Sequence, residues 1–121
     1  MKELSKSIED YIETIYMIEQ EKGEIKSVDI AAKLGVSKPA VNKAMNELNK
    51  LNLIEKSNYS NIIMTESGRN LAKKVYDKHI LVYNFLLKIG VSKEIAEIDC
   101  CKIEHVISQE TADCLKKYLN K

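Results

Sequence analysis

Residues 30–48, IAAKLGVSKPAVNKAMNEL, set two short amphipathic segments on either side of a glycine. Gly35 permits the left-handed turn that ends one helix, and Ser37 can cap the next helix two residues later. The Ala31–Ala32 pair allows close helix contact, while Val41, Met45, Leu48 and Leu51 recur at helical spacing and give the second helix one apolar face. Pro39 is tolerated in the first turn, where a missing N–H breaks no bond. The period then changes. Two short apolar runs at 53–56 and 61–64 flank the turn-rich Ser57, Asn58, Tyr59 and Ser60, which predicts a hairpin. Helix, tight turn, helix and hairpin, in that order, predict a winged helix-turn-helix.

The flanking sequence is helical. Leu4, Ile8, Tyr11, Ile12, Ile15 and Ile18 mark a first helix closed by Gly23; Ser27 is the expected N-cap of the next, with Asp29 in its first turn. Thr65 opens a long helix whose Leu71, Val75, Val82, Phe85, Leu86 and Ile89 predict a buried face up to Gly90. Two shorter helices follow, one from SKEIAEI into CCKIEHVIS and one in SQETADCLKKYL, capped by Ser108 and with Leu115, Tyr118 and Leu119 apolar. The expected class is mainly α: a winged helix-turn-helix over residues 1–70, then an all-helical domain over 71–121.

A net charge of +1 hides an uneven distribution. Residues 1–32 hold four Lys against eight Asp or Glu; residues 33–56 hold five Lys against two Glu; residues 57–78 hold four basic against two acidic side chains. A basic stripe in a neutral chain fits an anionic partner on one face. Solvated helix faces produce the same pattern, but the helix-turn-helix and hairpin favour double-stranded DNA. A helix lies in the major groove with its inner face apolar and its outer face short, polar and cationic. Ser37, Lys38, Pro39, Asn42, Lys43 and Asn46 fit that outer face. Asn42, Lys43 and Asn46 are the candidates for base edges, Ser37 and the helix N-terminus for phosphate. Lys56, Asn58 and Tyr59 of the hairpin are candidates for the DNA backbone or minor groove. One such module makes few contacts, so useful affinity calls for a homodimer on a two-fold-related operator.

A second constellation has nothing to do with DNA. Cys101, Glu104 and His105 fall at i, i+3 and i+4, where three side chains share one helix side. They form either a metal site or a half-buried face on which Cys101 packs as a small hydrophobe. Asp10 and Glu13, at i and i+3, form a similar acidic pair, and His79 lies in the long helix. Three cysteines, two of them adjacent, make a poor disulfide framework and suit a reducing cytoplasm. The N-terminus has no apolar signal core, and no apolar run approaches the ~20 residues needed to span a bilayer. No membrane partner and no organic cofactor are expected.

The segments IEDYIETIY, VSKPAVNKAMNEL, the hairpin followed by TESGRNLA, KHILVYNFL and CKIEHVIS, in this order, resemble the diphtheria toxin repressor and manganese transport regulator family over nearly the whole chain. The resemblance implies a homodimeric, metal-activated transcriptional repressor. It also implies metal ligands at Asp10, Glu13, His79, Glu104 and His105, positions matching the manganese-responsive branch. Cys101 departs from that branch, which has glutamate there, and matches the iron-responsive branch, which in turn has methionine where this chain has Asp10. Tyr83 stands where an ancillary site would favour a carboxylate, with Glu97 as a possible ancillary oxygen ligand. The chain ends at Lys121, so the SH3-like third domain of the iron branch is not expected. Carboxylates and imidazoles suit Mn(II) and Fe(II), and a thiolate softens the set toward Fe(II), Co(II) or Zn(II). Fe(II) or Mn(II) is the expected ion, with a lean to Fe(II), and Zn(II) or Co(II) would bind in vitro. Two rivals stand beside this. A metal-independent winged-helix regulator would answer to an organic effector or a protein partner. A small metallohydrolase would use Glu104 as base, but neither a Gly-rich loop nor an HExxH pattern supports an enzyme.

Overall fold

The computed structural model describes residues 5–56 and 61–121. It divides into two compact units, Met1–Lys73 and Lys74–Lys121. The first contains α1 (Lys6–Lys22), β1 (Ile25–Lys26), α2 (Ser27–Leu34), α3 (Lys38–Lys50), β2 (Ile54–Lys56), β3 (Asn61–Met64) and the start of α4 (Glu66–Lys88). Ser5 Oγ accepts from the Ile8 N–H at 3.2 Å and begins α1. Gly35, at φ +66°, ends α2, and the Ser37 Oγ accepts from the Ala40 N–H at 3.2 Å to begin α3. Ile12, Ile15, Ile30, Val41, Met45 and Leu48 are wholly buried, so the apolar stripes of the three helices meet in one core. Leu51 lies at the C-cap of α3, past the last helical turn, and is exposed; the stripe predicted from the sequence stops at Leu48.

The sheet has three antiparallel strands in the order β1-β3-β2. Ile25 lies opposite Ile62 and Ile54 opposite Met64, and these four side chains are buried in the core while Glu55 and Ile63 alternate outward. The sequence predicted only the hairpin, because a two-residue strand is too short to show a period. The same strand corrects the start of α2. Its extended backbone runs to Lys26, which takes the cap position without a side-chain bond, and Ser27 is already helical.

Where the sheet meets α4, Thr65 joins three segments. Its Oγ1 donates to the Asn52 carbonyl at 2.7 Å and accepts from the Gly68 N–H at 3.0 Å, and its N–H donates to the Leu53 carbonyl at 3.1 Å. A Cβ on Gly68 would overlap that Leu53 carbonyl.

The second unit consists of the rest of α4, α5 (Lys93–Ile103) and α6 (Gln109–Leu119). Ser92 and Ser108 cap the two shorter helices, their Oγ atoms accepting from the Ile95 and Thr111 N–H groups. Its buried side chains are few and mostly small: Val75, Val82, Ala96, Cys100, Ala112 and the charged Glu104. Ile89 and Tyr118, predicted to be apolar contacts, are exposed; Tyr118 still packs edge-on to Phe85, with ring centroids 5.9 Å apart. Among the described residues no helix is long and apolar enough to cross a membrane.

Glycine to alanine inside a helix ordinarily gains up to ~1 kcal/mol. At Gly68 the overlap with Leu53 reverses the sign, and Gly68→Ala should destabilise the protein by about 1–3 kcal/mol. The measurement is the urea midpoint at constant m-value, and an unchanged or raised midpoint contradicts the packing described.

Candidate metal centre and nucleic-acid face

The end of α5 carries adjacent thiols, Cys100 and Cys101, and Glu104 occupies its C-cap, with the Glu104 N–H donating to the Cys100 carbonyl at 3.0 Å. This tight last turn brings the Glu104 side chain to His79 on α4. The Glu104 carboxylate is fully buried. His79 Nδ1 donates to its Oε2 at 2.8 Å, and His105 Nε2 stands 3.3 Å from its Oε1. A carboxylate only accepts, so the proton on Nδ1 leaves the His79 lone pair on Nε2. That is the arrangement in which a carboxylate orients a metal-binding imidazole. Glu104 Oε1 accepts no hydrogen bond among the described residues. A buried carboxylate oxygen without a hydrogen bond costs about 1–3 kcal/mol, and positive charge beside it, from a protonated His105 or from a metal ion, offsets that cost. Imidazole nitrogens, carboxylate oxygens and a thiol are together a donor set for a divalent transition metal.

Cys100 is the group that sequence reasoning missed. Its side chain is wholly buried, and its Sγ lies 3.6 Å from His79 Nδ1 and 3.8 Å from Nε2, with its S–H donating to the Glu97 carbonyl at 3.4 Å. Ligand atoms of His79, Cys100 and Cys101 all lie within 4.8 Å of one another. Burial first, then the neighbouring Cys101 and Glu104, push the Cys100 thiol up to about 12, so it is protonated at neutral pH. A signal was available in the spacing: Cys100 precedes Glu104 by four residues, as good a helical neighbour as Cys101. Glu97 is exposed, and its carboxylate joins no such cluster among the described residues. Tyr76 stacks on His79 with centroids 6.5 Å apart and restrains the ring from the preceding turn.

Asp10 and Glu13 belong to the first unit, one turn apart on α1. Asp10 Oδ2 accepts from Lys6 Nζ at 2.8 Å, and Glu13 is buried. Also in the first unit, α3 presents its polar face. Val41, Ala44, Met45 and Leu48 point into the core; Ser37, Lys38, Pro39, Asn42, Lys43 and Asn46 are exposed. Lys56 at the end of β2 donates to Asn46 Oδ1 at 2.8 Å, joining hairpin and helix. Asn58 and Tyr59 lie outside the described residues. A groove of about 940 Å³ between α4 and α6, lined by Lys74, Asp77, Ile80, Asn84, Asp113 and Lys116 among others, contains none of the predicted ligands.

Comparison with known proteins gives this geometry a context. Residues 3–62 match the family described as iron dependent repressor, N-terminal DNA binding domain; residues 65–121 match iron dependent repressor, metal binding and dimerisation domain. The transcriptional regulator MntR of Escherichia coli O6:H1 is 41% identical over 114 residues, covering 94% of this chain and 74% of that protein. An uncharacterized HTH-type transcriptional regulator of Methanocaldococcus jannaschii is 35% identical, covering 98% of this chain and 96% of its own length. Among solved structures, the manganese regulator SloR superposes with a TM-score of 0.83 at 30% identity, over 93% of this chain and 53% of that one. This chain therefore spans about half the length of that regulator.

Replacing the buried carboxylate separates its two roles. Glu104→Gln in chelated protein should unfold at the wild-type temperature or higher, since a buried charge has been removed. A divalent ion at ~100 times its dissociation constant should stabilise wild type by about 2.7 kcal/mol and the variant far less. Thermal unfolding with chelator and with Mn(II) measures both, and an equal metal-induced shift in the two proteins rules Glu104 out as a ligand.

Proposed function

The chain belongs to the iron dependent repressor family, and from that membership we propose that it is a divalent-metal-activated transcriptional repressor of metal homeostasis. It binds a two-fold-related operator as a homodimer, and its ion is Fe(II) or Mn(II). The observation that carries this reading is the buried Glu104 carboxylate, bonded to His79 through one oxygen and without a hydrogen bond on the other. The proposed ligands are Asp10 and Glu13 from α1, His79 from α4, and Cys101, Glu104 and His105 from the end of α5 and the turn after it. A bound divalent ion would balance the negative charge of these carboxylates and of a Cys101 thiolate.

Each side chain then has a task. Glu104 Oε2 fixes the His79 ring, and Oε1 would be available to hold an ion. His105 contributes a second imidazole. Without metal, the two α3 helices of a dimer would sample many separations. With metal, the ligands from α1 are held to those of the second unit, which narrows the separations to successive major grooves, about 34–36 Å apart. A ~100-fold preference for the DNA-competent state needs about 3 kcal/mol, within reach of a few metal–ligand bonds. On the DNA, Asn42, Lys43 and Asn46 read base edges, Ser37 and the start of α3 with Lys38 and Pro39 meet a phosphate, and Lys56, Asn58 and Tyr59 reach the backbone or minor groove. The dimer reading is supported by the second unit itself. It is too small to bury a large core, and it exposes Ile95 and Ile98 one turn apart on α5, with Ile89 and Val106 beyond its two ends.

Anaerobic fluorescence anisotropy on DNA from the protein's own upstream region tests the reading. Mn(II) or Fe(II) should tighten binding tenfold or more over chelator, about 1.4 kcal/mol. Tight, equal binding under all three conditions would leave a winged-helix regulator with some other trigger. Cys101→Glu should shift relative activation from Fe(II) toward Mn(II), and an unchanged ratio removes Cys101 from the ligand set.

A further inference from the structure

Intrinsic affinity favours Zn(II) over both Mn(II) and Fe(II) at almost any nitrogen, oxygen or sulfur site, so a Mn(II)- or Fe(II)-responsive protein must respond differently to ions it binds more tightly. The second unit contains a feature suited to that. Its two adjacent thiols and His79 place three ligand atoms within 4.8 Å of one another, all on α4 and α5. Zn–S of ≈ 2.3 Å and Zn–N of ≈ 2.0–2.1 Å at a tetrahedral angle put sulfur and nitrogen ~3.6 Å apart. Cys100 Sγ stands 3.8 Å from His79 Nε2, the nitrogen that keeps its lone pair, before any ion is bound, and a turn of the ring about χ2 would point that lone pair toward the sulfur. Cys100 contacts His79, donates to the Glu97 carbonyl and has Cys101 and Glu104 beside it.

We infer that Cys100 is a second thiol ligand, and that Cys100, Cys101 and His79 form a soft-metal subsite lying wholly within the second unit. This rests on the metal-repressor reading above and adds a mechanism of discrimination. Zn(II) or Cd(II) replaces the thiol protons, which pass to solvent, and is satisfied by two thiolates, His79 and a fourth ligand from the same unit or water. Such an ion has no need of Asp10 and Glu13, so it occupies the centre without holding α1. Mn(II) and Fe(II), which prefer oxygen ligands, still require the α1 carboxylates.

The test uses the full chain with Cys114 changed to serine, so that Cys100 and Cys101 are the remaining thiols. The number of sulfur ligands per Zn(II) is read by X-ray absorption and, with Co(II), by thiolate-to-metal absorption in the near ultraviolet. Two sulfurs per Zn(II), and loss of about half the Co(II) thiolate absorption in both Cys100→Ser and Cys101→Ser, are expected. One sulfur per Zn(II), or full absorption in Cys100→Ser, overturns the inference. The zinc measurement needs no further variant, so a folding defect in Cys100→Ser leaves the question decidable. The discrimination is tested with Asp10→Asn/Glu13→Gln: Mn(II) affinity should fall ~100-fold or more and Zn(II) affinity less than threefold. An equal loss for both ions overturns it. If Mn(II) and Fe(II) fail to tighten operator binding in wild type, the repressor reading fails, and the sulfur count still reports on Cys100 independently.

Discussion

A carboxylate with no access to water is the constraint on which the second unit depends. Glu104 is placed at the C-cap of α5 by ordinary helix geometry, and its burial leaves one oxygen bonded to His79 and the other without a hydrogen bond. A unit of 48 residues selected for stability alone would put an apolar side chain there. Instead its centre contains two imidazoles, a carboxylate and two thiols, and its apolar core is reduced to a few small side chains. On the proposed reading an ion bound at Glu104 would stabilise this unit, and its concentration would become a conformational signal.

The first unit has the opposite character. Its core is continuous, built from fully buried isoleucines on α1 and α2 and the inward stripe of α3, and sealed by a three-stranded sheet. Thr65 and Gly68 lock the sheet to the start of α4, and Arg69 forms a two-pronged ion pair with Glu19 that ties α4 to α1, at 3.0 and 2.8 Å. A reading head must be rigid, since a bidentate base contact tolerates little displacement. The bond from Lys56 to Asn46 serves the same end by restraining a side chain on the exposed face of α3.

What was legible in the sequence divides along the same physical line. Helices with long apolar stripes and clear caps, α1, α3 and the long α4, could be read because periodicity and capping are local. The hairpin announced itself by a change of period and a cluster of turn residues. β1 could not be read, because two residues carry no period and their strand character exists only through pairing with β3. For the same reason Ser27, a good cap by composition, lost that position to Lys26. In the second unit, Cys101, Glu104 and His105 stood out by spacing, but Cys100 was passed over although it shares a helix side with Glu104. Its significance comes from His79, 21 residues away, and a contact of that kind is written in the fold.

Thermodynamic linkage gives the most direct test of the central claim that metal and DNA are coupled through this protein. If an ion tightens operator binding by some factor, operator must tighten ion binding by the same factor. Free Mn(II) in a titration can be followed by electron paramagnetic resonance, with and without saturating operator DNA. The metal dissociation constant should be tenfold or more lower when DNA is present, matching the metal effect on DNA affinity. A metal dissociation constant unchanged by DNA would contradict that coupling and leave the buried Glu104 site without a part in DNA recognition.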